Sequence, residues 1–162
     1  MTALVTRAYD AATDERWAEA LLANMLAGRW QARRGELVDA LGGPGLVAVD
    51  QSARVGLLTY QLDERDCEVV ALAAARRHAG VGTLLLDALQ SEAAGGRRIW
   101  LVTTNDNLDA LRFYQRRGFR LSALHAGAVD AARLALKPGI PAVGAYGIPL
   151  RDELELELLS AR

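Results

Sequence analysis

The sequence has a single cysteine, Cys67, in 162 residues. One cysteine excludes an internal disulfide and a cysteine-rich zinc site. Cys67 stands in an apolar stretch, so we interpret it as a small core residue and not as a nucleophile. No cluster of metal-ligating residue types appears elsewhere in the sequence, and we expect no metal in the site.

The sequence also lacks an excess of charge of one sign, and it has no long apolar run. The formal net charge is −1, and a chain without a basic surplus is not typical of nucleic-acid binding. No apolar run approaches the roughly 20 residues that span a bilayer, and the N-terminus lacks the apolar core of a signal peptide. We therefore expect a cytoplasmic protein that binds neither nucleic acid nor membrane.

No internal repeat, low-complexity tract or long linker divides the chain. We predict a single domain over 1–162, long enough to bury most of the apolar surface of its unfolded chain. Strand-like stretches come first and β-α-β units follow. This order predicts an α/β fold in which a mixed central sheet of about six to seven strands carries helices on both faces.

Three local patterns carry specific structural expectations. Asp14 is expected to cap the first helix, because a carboxylate accepts hydrogen bonds from the free N–H groups of a first turn. A second helical piece is expected over 31–41, ending at the breaker cluster 42–45. Over 153–158 glutamate and leucine alternate strictly, which predicts a strand with a buried leucine face and a wet glutamate face.

The most informative segment is the glycine turn at 77–83, Arg-His-Ala-Gly-Val-Gly-Thr. It joins a strand-like stretch to a helical one, and the free N–H groups at a helix N-terminus attract anions. Gly80 and Gly82 let an oxygen approach the backbone, and Arg77 adds a charged donor. The segment is therefore either a diphosphate cradle or only a tight strand-to-helix turn.

Two familiar nucleotide-binding loops do not match this segment. A P-loop has a lysine after its last glycine, whereas Gly82 is followed by Thr83. A dinucleotide-binding turn has a third small residue where Leu85 stands. The glycines thus favour some other diphosphate.

A second segment follows the strand-like stretch that ends at Thr104. Asn107, Ala110 and Tyr114 fall at i, i+3 and i+7, so they lie along one stripe of a predicted helix. An amide, a small residue and a phenol on one face indicate contact with a polar partner.

Together the two segments resemble the GNAT superfamily of acyl-CoA-dependent N-acyltransferases. The glycine turn is similar to that family's [Q/R]-x-x-G-x-[G/A] pyrophosphate loop, through Arg77, Gly80 and Gly82. The second segment is similar to its N-x-x-A-x-x-[LF]-Y…G-F pattern, through Asn107, Ala110, Phe113, Tyr114, Gly118 and Phe119. The resemblance extends loosely from about residue 3 to the C-terminus and implies the GNAT arrangement of a mixed sheet with helices on both faces.

The resemblance also implies a set of acetyl-CoA contacts. Two splayed strands would hold the pantetheine arm through backbone groups near Leu72 and Ala74. The family often has Pro where Ala74 stands, and Gly or Arg where His78 and Ala79 stand, so His78 either contacts a phosphate or lies in water. The implied contacts to the pyrophosphate and beyond are Arg77, His78, Ala79, Gly80, Val81, Gly82, Thr83, Asn107, Ala110 and Tyr114.

Acyl transfer from a thioester needs a group that takes the amine's proton and benefits from an acid at the leaving thiolate. By its stripe position and by family analogy, Tyr114 is the predicted acid. Its alternative role is an amphipathic core aromatic with the hydroxyl bonded to backbone. The predicted base is Glu68, in phase with Val70, Leu72 and Ala74 on the strand before the turn, with Asp66 or a chain of water as alternatives.

The expected reaction is transfer of an acetyl group from acetyl-CoA to a primary amine of a small molecule, by direct attack in a ternary complex. The alternatives are a non-catalytic acyl-CoA-binding sensor or partner protein and, less favoured, a protein or peptide N-acetyltransferase. The long connection 126–149 is expected to wall the acceptor site or to form a homodimer interface. The acidic turn 63–66 favours a cationic acceptor if it borders the cleft.

Overall fold

The computed structural model describes residues 3–76 and 79–159. Arg77 and His78, two of the predicted phosphate contacts, lie outside the described residues. The described strands are β1 (Leu4–Ala8), β2 (Trp30–Arg33), β3 (Glu36–Asp39), β4 (Gly45–Asp50), β5 (Ala53–Leu62), β6 (Asp66–Ala74), β7 (Arg98–Thr104), β8 (Arg120–His125) and β9 (Glu153–Leu158). The helices are α1 (Ala11–Met25), α2 (Val81–Ala88, continued by a π-helical turn, Leu89–Ala93), α3 (Leu108–Gln115) and α4 (Ala128–Ala135).

Seven of these strands form one mixed sheet in the order β1-β4-β5-β6-β7-β9-β8, and β2 and β3 form a separate hairpin. Strands β1, β4, β5 and β6 pair antiparallel, β6 and β7 pair parallel, and β9 pairs antiparallel with both β7 and β8. The predicted mixed α/β sheet is confirmed. Within the described residues, none of the helices is both long and apolar enough to cross a membrane.

The pairing between β6 and β7, which joins the β1-β4-β5-β6 half of the sheet to the β7-β9-β8 half, is short. Strands β6 and β7 pair at three positions, which end with Glu68 opposite Trp100. Beyond that pair β6 runs on to Ala74 and β7 to Thr104 without pairing to each other. A gap therefore opens between two parallel strands in the middle of the sheet.

Apolar side chains cover both faces of the sheet. One core cluster packs α2 and α3 on one face, through residues such as Leu85, Tyr114 and Phe119. A second cluster packs α1 on the other face, through Ala18 and Leu22. Helices lie on both faces, as predicted.

A β-bulge at Val70 changes the side-chain phase of β6. Tyr60 on β5 pairs with Val69, whereas Thr59 pairs with Ala71, so Val70 is the extra residue. Glu68 consequently lies on the α1 face with Ala71. Leu72 lies on the opposite face, so the prediction that Glu68 is in phase with Leu72 and Ala74 is wrong.

The chain over 31–41 forms most of the β2–β3 hairpin, so the predicted helical piece is wrong. Arg34 and Gly35 both have positive φ, of 49° and 80°, as the two central residues of a type I′ turn do. Trp30 and Val38, residue types that suit strands, stand in the arms. The turn conformation overrides the helical spacing of the apolar residues.

Asp10, and not Asp14, caps α1: its side chain accepts a hydrogen bond from the Ala12 N–H. Asp14 lies inside the first turn, fully buried, and its carboxylate binds the guanidinium groups of Arg7 and Arg54. These ion pairs hold the pKa of Asp14 far below its usual range, the Arg7 hydrogen bond being the main cause. The acidic residue predicted as a cap instead joins α1 to the sheet.

Candidate functional site

A cavity of about 720 Å³ lies at the gap between β6 and β7. Val70 and Leu72 of β6 line it on one side, and Val102 of β7 lines it on the other. The β2–β3 hairpin, α4 and the connection between β8 and β9 complete its walls through residues that include Arg33, Ala132 and Ile140. The cavity thus joins the gap in the sheet to a space lined by three further elements of the chain.

The glycine turn occupies the strand-to-helix position that its spacing predicts. Strand β6 ends at Ala74, and Gly80, in the left-handed conformation with φ 77°, precedes α2. No side chain of the described residues caps this helix, and its first intrahelical bond runs from the Leu84 N–H to the Gly80 carbonyl. By helix geometry the N–H groups of Val81, Gly82 and Thr83 have no intrahelical acceptor. They are available to an anion.

Gly82 has a second role that the sequence did not indicate. A Cβ at this position would lie 2.8 Å from Cζ of Phe113 on α3. Glycine therefore lets α2 and α3 pack closely, which fixes where the N-terminus of α2 sits.

The hydroxyl of Thr83 is bound by Arg117, which follows α3. It accepts hydrogen bonds from Nε at 2.8 Å and from Nη2 at 2.6 Å. The same guanidinium lies 3.6 Å from the centre of the Phe113 ring, and burial lowers the pKa of Arg117. Arg117 thereby adds positive charge at the turn where α2 begins.

Asn107 and Ala110 lie at the start of α3 and line the cavity. The Asn107 side chain caps the helix: Oδ1 accepts from the Ala110 N–H at 3.2 Å, and Nδ2 donates to the Thr103 hydroxyl at 3.2 Å. These two hydrogen bonds explain why an asparagine stands at the start of α3. A contact between Asn107 and a ligand is not needed to explain it.

Tyr114 is buried on α3, with 7% of its surface exposed, and it lines the cavity. Its ring packs edge-on against Phe113 and Phe119. Across the described chain its hydroxyl has no hydrogen-bond partner, so the backbone-bonded alternative does not hold. Burial raises the pKa of Tyr114 and keeps the hydroxyl protonated at neutral pH.

Leu72 lines the cavity, and Ala74 lies two residues further along β6. Both follow the last pair between β6 and β7, so the backbone edge that faces β7 is unpaired there. The bulge at Val70 adds one more residue outside the ladder, also against the cavity. Sequence reasoning missed Val70, because no residue type in β6 marks a bulge.

Glu68 is held by Arg33, which stands beside the hairpin turn. The guanidinium contacts both carboxylate oxygens, and both side chains are largely buried. Burial raises the pKa of Glu68, and Arg33 opposes this. Arg33 lines the cavity, whereas Glu68 reaches it through Arg33. The ion pair went unforeseen because residue 33 was expected in a helix.

The other acidic and nucleophilic candidates lie away from the cavity. The acidic turn 63–66, with Asp66, is not among the lining residues of the cavity. The turn was expected to favour a cationic acceptor only if it bordered the cleft, and it does not. Asp66 instead faces Arg98 at 3.5 Å. Cys67 is fully buried, and burial raises the pKa of its thiol to about 11, in agreement with a core role.

The connection between β8 and β9 contributes α4 and, after it, residues 137–150, here called the strap, which line the cavity. The strap is anchored at Asp106, whose carboxylate accepts from the Ala145 N–H at 2.8 Å and from the Thr104 hydroxyl. Gly144 lies against the same carboxylate, where a Cβ would come within 2.6 Å of Cγ. The prediction that this connection walls a site agrees with its place on the cavity.

A family model described as an acetyltransferase (GNAT) domain matches residues 42–121, which include the described part of the glycine turn and all of α3. The chain is also 43% identical over 113 residues to the uncharacterized protein YdhI of Bacillus subtilis, covering 68% of this chain and 70% of YdhI. The chain belongs to the GNAT acetyltransferase family. This confirms the predicted family and enzyme class, an acetyl-CoA-dependent N-acetyltransferase with acetyl-CoA as co-substrate.

Solved GNAT structures share the fold of this GNAT chain. A Bacillus subtilis acetyltransferase in complex with CoA superposes with a TM-score of 0.68 at 20% identity, over 99% of this chain and 100% of the other. Arabidopsis thaliana Naa50, in complex with the bisubstrate analogue CoA-Ac-MVNAL, gives a TM-score of 0.70 at 16% identity, over 96% and 97%. At these identities the likeness concerns the fold.

Proposed function

We propose that this GNAT enzyme acetylates a primary amine of a small molecule, by direct attack on acetyl-CoA in a ternary complex. The observation that carries the proposal is a single cavity that joins the gap beside Leu72 to the space behind the hairpin and the strap. Both substrates would meet there, with the Tyr114 hydroxyl at the wall. Such an arrangement supports direct transfer, because no nucleophilic side chain on the cavity wall is needed to carry the acetyl group.

Two features of the chain fit acetyl-CoA. The unpaired backbone edge of β6 beyond Glu68 accepts an extended arm as a further strand would. The uncapped first turn of α2 offers N–H groups to a diphosphate. When bound, acetyl-CoA supplies a thioester carbonyl that is activated toward an amine. The proposed contacts are those predicted at Leu72, Ala74, Arg77, His78, Ala79, Gly80, Val81, Gly82, Thr83, Asn107, Ala110 and Tyr114.

Tyr114 is the proposed acid. Its Oη keeps its proton because burial raises the pKa, and the hydroxyl, which has no partner among the described residues, is available as a donor to a ligand in the cavity that Tyr114 lines. The role is a hydrogen bond or a proton given to the leaving sulfur. Val70 is a further proposed contributor, since an N–H outside the ladder at the cavity wall suits a developing oxyanion.

Glu68 remains the proposed base, acting through water. Its buried carboxylate has a raised pKa, which suits proton uptake better than an exposed carboxylate does. Arg33 stands between Glu68 and the cavity. The proton of the amine would therefore reach Glu68 through water and not by direct contact. Asp66 is set aside because it faces Arg98 instead.

The enclosed acceptor space favours a small molecule over a peptide. The hairpin is tied to the strap side by Lys137, whose ammonium donates to the carbonyls of Ala27 and Trp30 at 3.0 and 2.9 Å. This tie limits the room on the acceptor side of the cavity, and a small amine needs less room than a peptide chain.

The test begins with a thermal melt in the presence of acetyl-CoA, CoA, ATP or NADH. Saturation at about 100 times the dissociation constant adds about 2.7 kcal/mol of stability. For a chain of this size the melting temperature then rises by several degrees, at roughly 2–4 °C per kcal/mol. A rise with acetyl-CoA and CoA alone supports the proposed cofactor contacts, whereas a rise with ATP or NADH contradicts them.

The second step is a panel of small amines and short peptides, with free thiol measured above the hydrolysis background. Turnover with an amine supports the enzyme, and its absence across a broad panel together with a normal acetyl-CoA melt favours the non-catalytic binder. Turnover confined to peptide N-termini overturns the small-molecule assignment.

A further inference from the structure

Glu153, the first residue of β9, is a buried carboxylate that the proposed chemistry does not use. Only 2% of its surface is exposed, and it lines the cavity. The glutamates of β9 were expected on a solvent-exposed face. For Glu153 this prediction is wrong, because the hairpin turn covers its side chain. Both of its oxygens accept from one donor, the Arg34 N–H, at 3.2 and 3.0 Å.

No cationic side chain of residues 3–76 and 79–159 pairs with Glu153. The two cationic side chains that line the same cavity are otherwise engaged: Arg33 binds Glu68, and Lys137 donates to two carbonyls. The next glutamate along the strand, Glu155, is paired with Arg34 and Arg98. Glu153 is thus a buried acid with one backbone donor, an arrangement that is costly without a counter-charge.

The place of Glu153 in the sheet separates it from the point where the gap between β6 and β7 begins. It lies opposite Thr104 in the β7–β9 ladder, four residues along β7 from Trp100, where the pairing of β6 with β7 ends. At about 3.3 Å per residue this separation is about 13 Å along the strand. Its side chain shares the α1 face of the sheet with Glu68, away from α3 and Tyr114.

We propose that Glu153 is an anionic subsite that holds a second, cationic group of the acceptor, remote from the amine that is acetylated. The acceptor class is therefore a diamine or a longer polyamine with several carbons between its nitrogen atoms. This rests on the proposed function only for the identity of the reacting amine. The cation subsite itself is a property of the cavity.

Three probes of equal chain length test the subsite: 1,6-diaminohexane, n-hexylamine and 6-aminohexanoate. They share the reacting amine and differ at the far end, which is cationic, apolar or anionic. We expect the wild-type enzyme to prefer the diamine over hexylamine by about tenfold or more in kcat/KM. Glu153→Gln should abolish this preference by raising KM for the diamine, while kcat for hexylamine and the dissociation constant of acetyl-CoA stay unchanged.

Glu155→Gln is the matched control on the same face of β9. It removes an acid that is already paired, so the preference for the diamine should remain. Glu153→Gln still accepts from the Arg34 N–H through its amide oxygen, and its melting temperature reports whether the fold is kept. Equal rates for the diamine and hexylamine in the wild type, or a preference that survives Glu153→Gln, overturns the proposal, and a preference for 6-aminohexanoate does so as well.

A binding measurement separates this proposal from the proposed function. With CoA present and no acetyl group to transfer, 1,6-diaminohexane should raise the melting temperature of the wild type and of Glu155→Gln, but not that of Glu153→Gln. If this shift is seen while no probe is acetylated, the subsite stands and the proposed activity on small amines fails. If acetylation occurs without a shift that depends on Glu153, the activity stands and the subsite fails.

Discussion

The guanidinium of Arg33 contacts both carboxylate oxygens of Glu68, across 35 positions of sequence and two separate strands. The pair brings the hairpin turn to the strand from which the gap opens. Because burial raises the pKa of Glu68 while Arg33 lowers it, the two residues together set the pH at which this carboxylate binds a proton.

The first prediction concerns the pH profile of turnover. A base works only when deprotonated, so activity is present above the pKa of Glu68 and is lost as the pH falls through it. Arg33→Met removes the influence that lowers this pKa, so the acidic limb of kcat should move to higher pH. Glu68→Gln should lower kcat by about 10²-fold and lose that limb. An acidic limb that stays in place in both variants would remove Glu68 from the mechanism.

The second prediction concerns Tyr114→Phe. Turnover should fall by about 10²–10⁴-fold, because the proposed acid is lost. The melting temperature should not fall, since the hydroxyl has no partner among the described residues that its removal would leave unpaired. The dissociation constant for acetyl-CoA, from a thermal or fluorescence titration, should be nearly unchanged. Unchanged turnover would return Tyr114 to a packing role.

The third prediction concerns the contact between α2 and α3. Gly82→Ala places a Cβ 2.8 Å from Phe113 Cζ, so the Phe113 ring or the two helices must shift. We expect a loss of about 1–3 kcal/mol of stability and weaker binding of acetyl-CoA. The double variant Gly82→Ala, Phe113→Leu makes room for the methyl group and should recover part of both. If Gly82→Ala weakens acetyl-CoA binding and the double variant recovers none of it, the ligand itself, and not Phe113, requires glycine there.

The fourth prediction concerns the strap. Gly144→Ala directs a methyl group at the Asp106 carboxylate and should displace the strap, raising KM for the amine about tenfold. Acetyl-CoA binding should persist, because the β6 edge and α2 are not touched. Gly139→Ala is the control in the same connection, with open space around its Cβ position. Equal effects of the two substitutions would argue against a specific anchor at Asp106.

The fifth prediction concerns acid stability. The pKa of Asp14 is held far below that of an unfolded aspartate, about 3.9, so its ion pairs stabilise the fold fully above that value. This stability is lost as the pH falls below about 4 toward the folded pKa. Asp14→Asn should cost about 3 kcal/mol at pH 7. In urea titrations the difference from the wild type should shrink as the pH is lowered below 4, and a constant difference would contradict the assignment.

The parts of the fold that short stretches encode were predictable from the sequence. The apolar strand, the glycine turn and the helix that begins at Val81 are contiguous, so their order alone placed a helix N-terminus at the edge of the sheet. The helix that carries Tyr114 was equally local, since its start depends on the Asn107 cap. Both segments fall in the range that the family model matches.

The parts that depend on distant contacts were not predictable. Asp14 is an ordinary cap candidate by position, and only the approach of Arg7 and Arg54 makes it a buried ion pair. The alternation over 153–158 correctly predicted a strand, but the covering of Glu153 depends on a hairpin 119 residues earlier in the chain. The bulge at Val70 has no sequence marker, so the phase of Glu68 was misjudged.

The short pairing between β6 and β7 divides this sheet into two halves, and the β2–β3 hairpin bridges them. The Arg33 side chain, at the end of β2, binds Glu68 on β6, and the Arg34 N–H, in the turn, binds Glu153 on β9. A strand pair of three positions is a weak hinge, whereas a bridge across it resists opening. The width of the gap is therefore governed from outside the sheet, by a two-residue turn. Any acceptor that disturbs that turn also changes the space available to the other substrate, so the affinities of the two substrates are coupled.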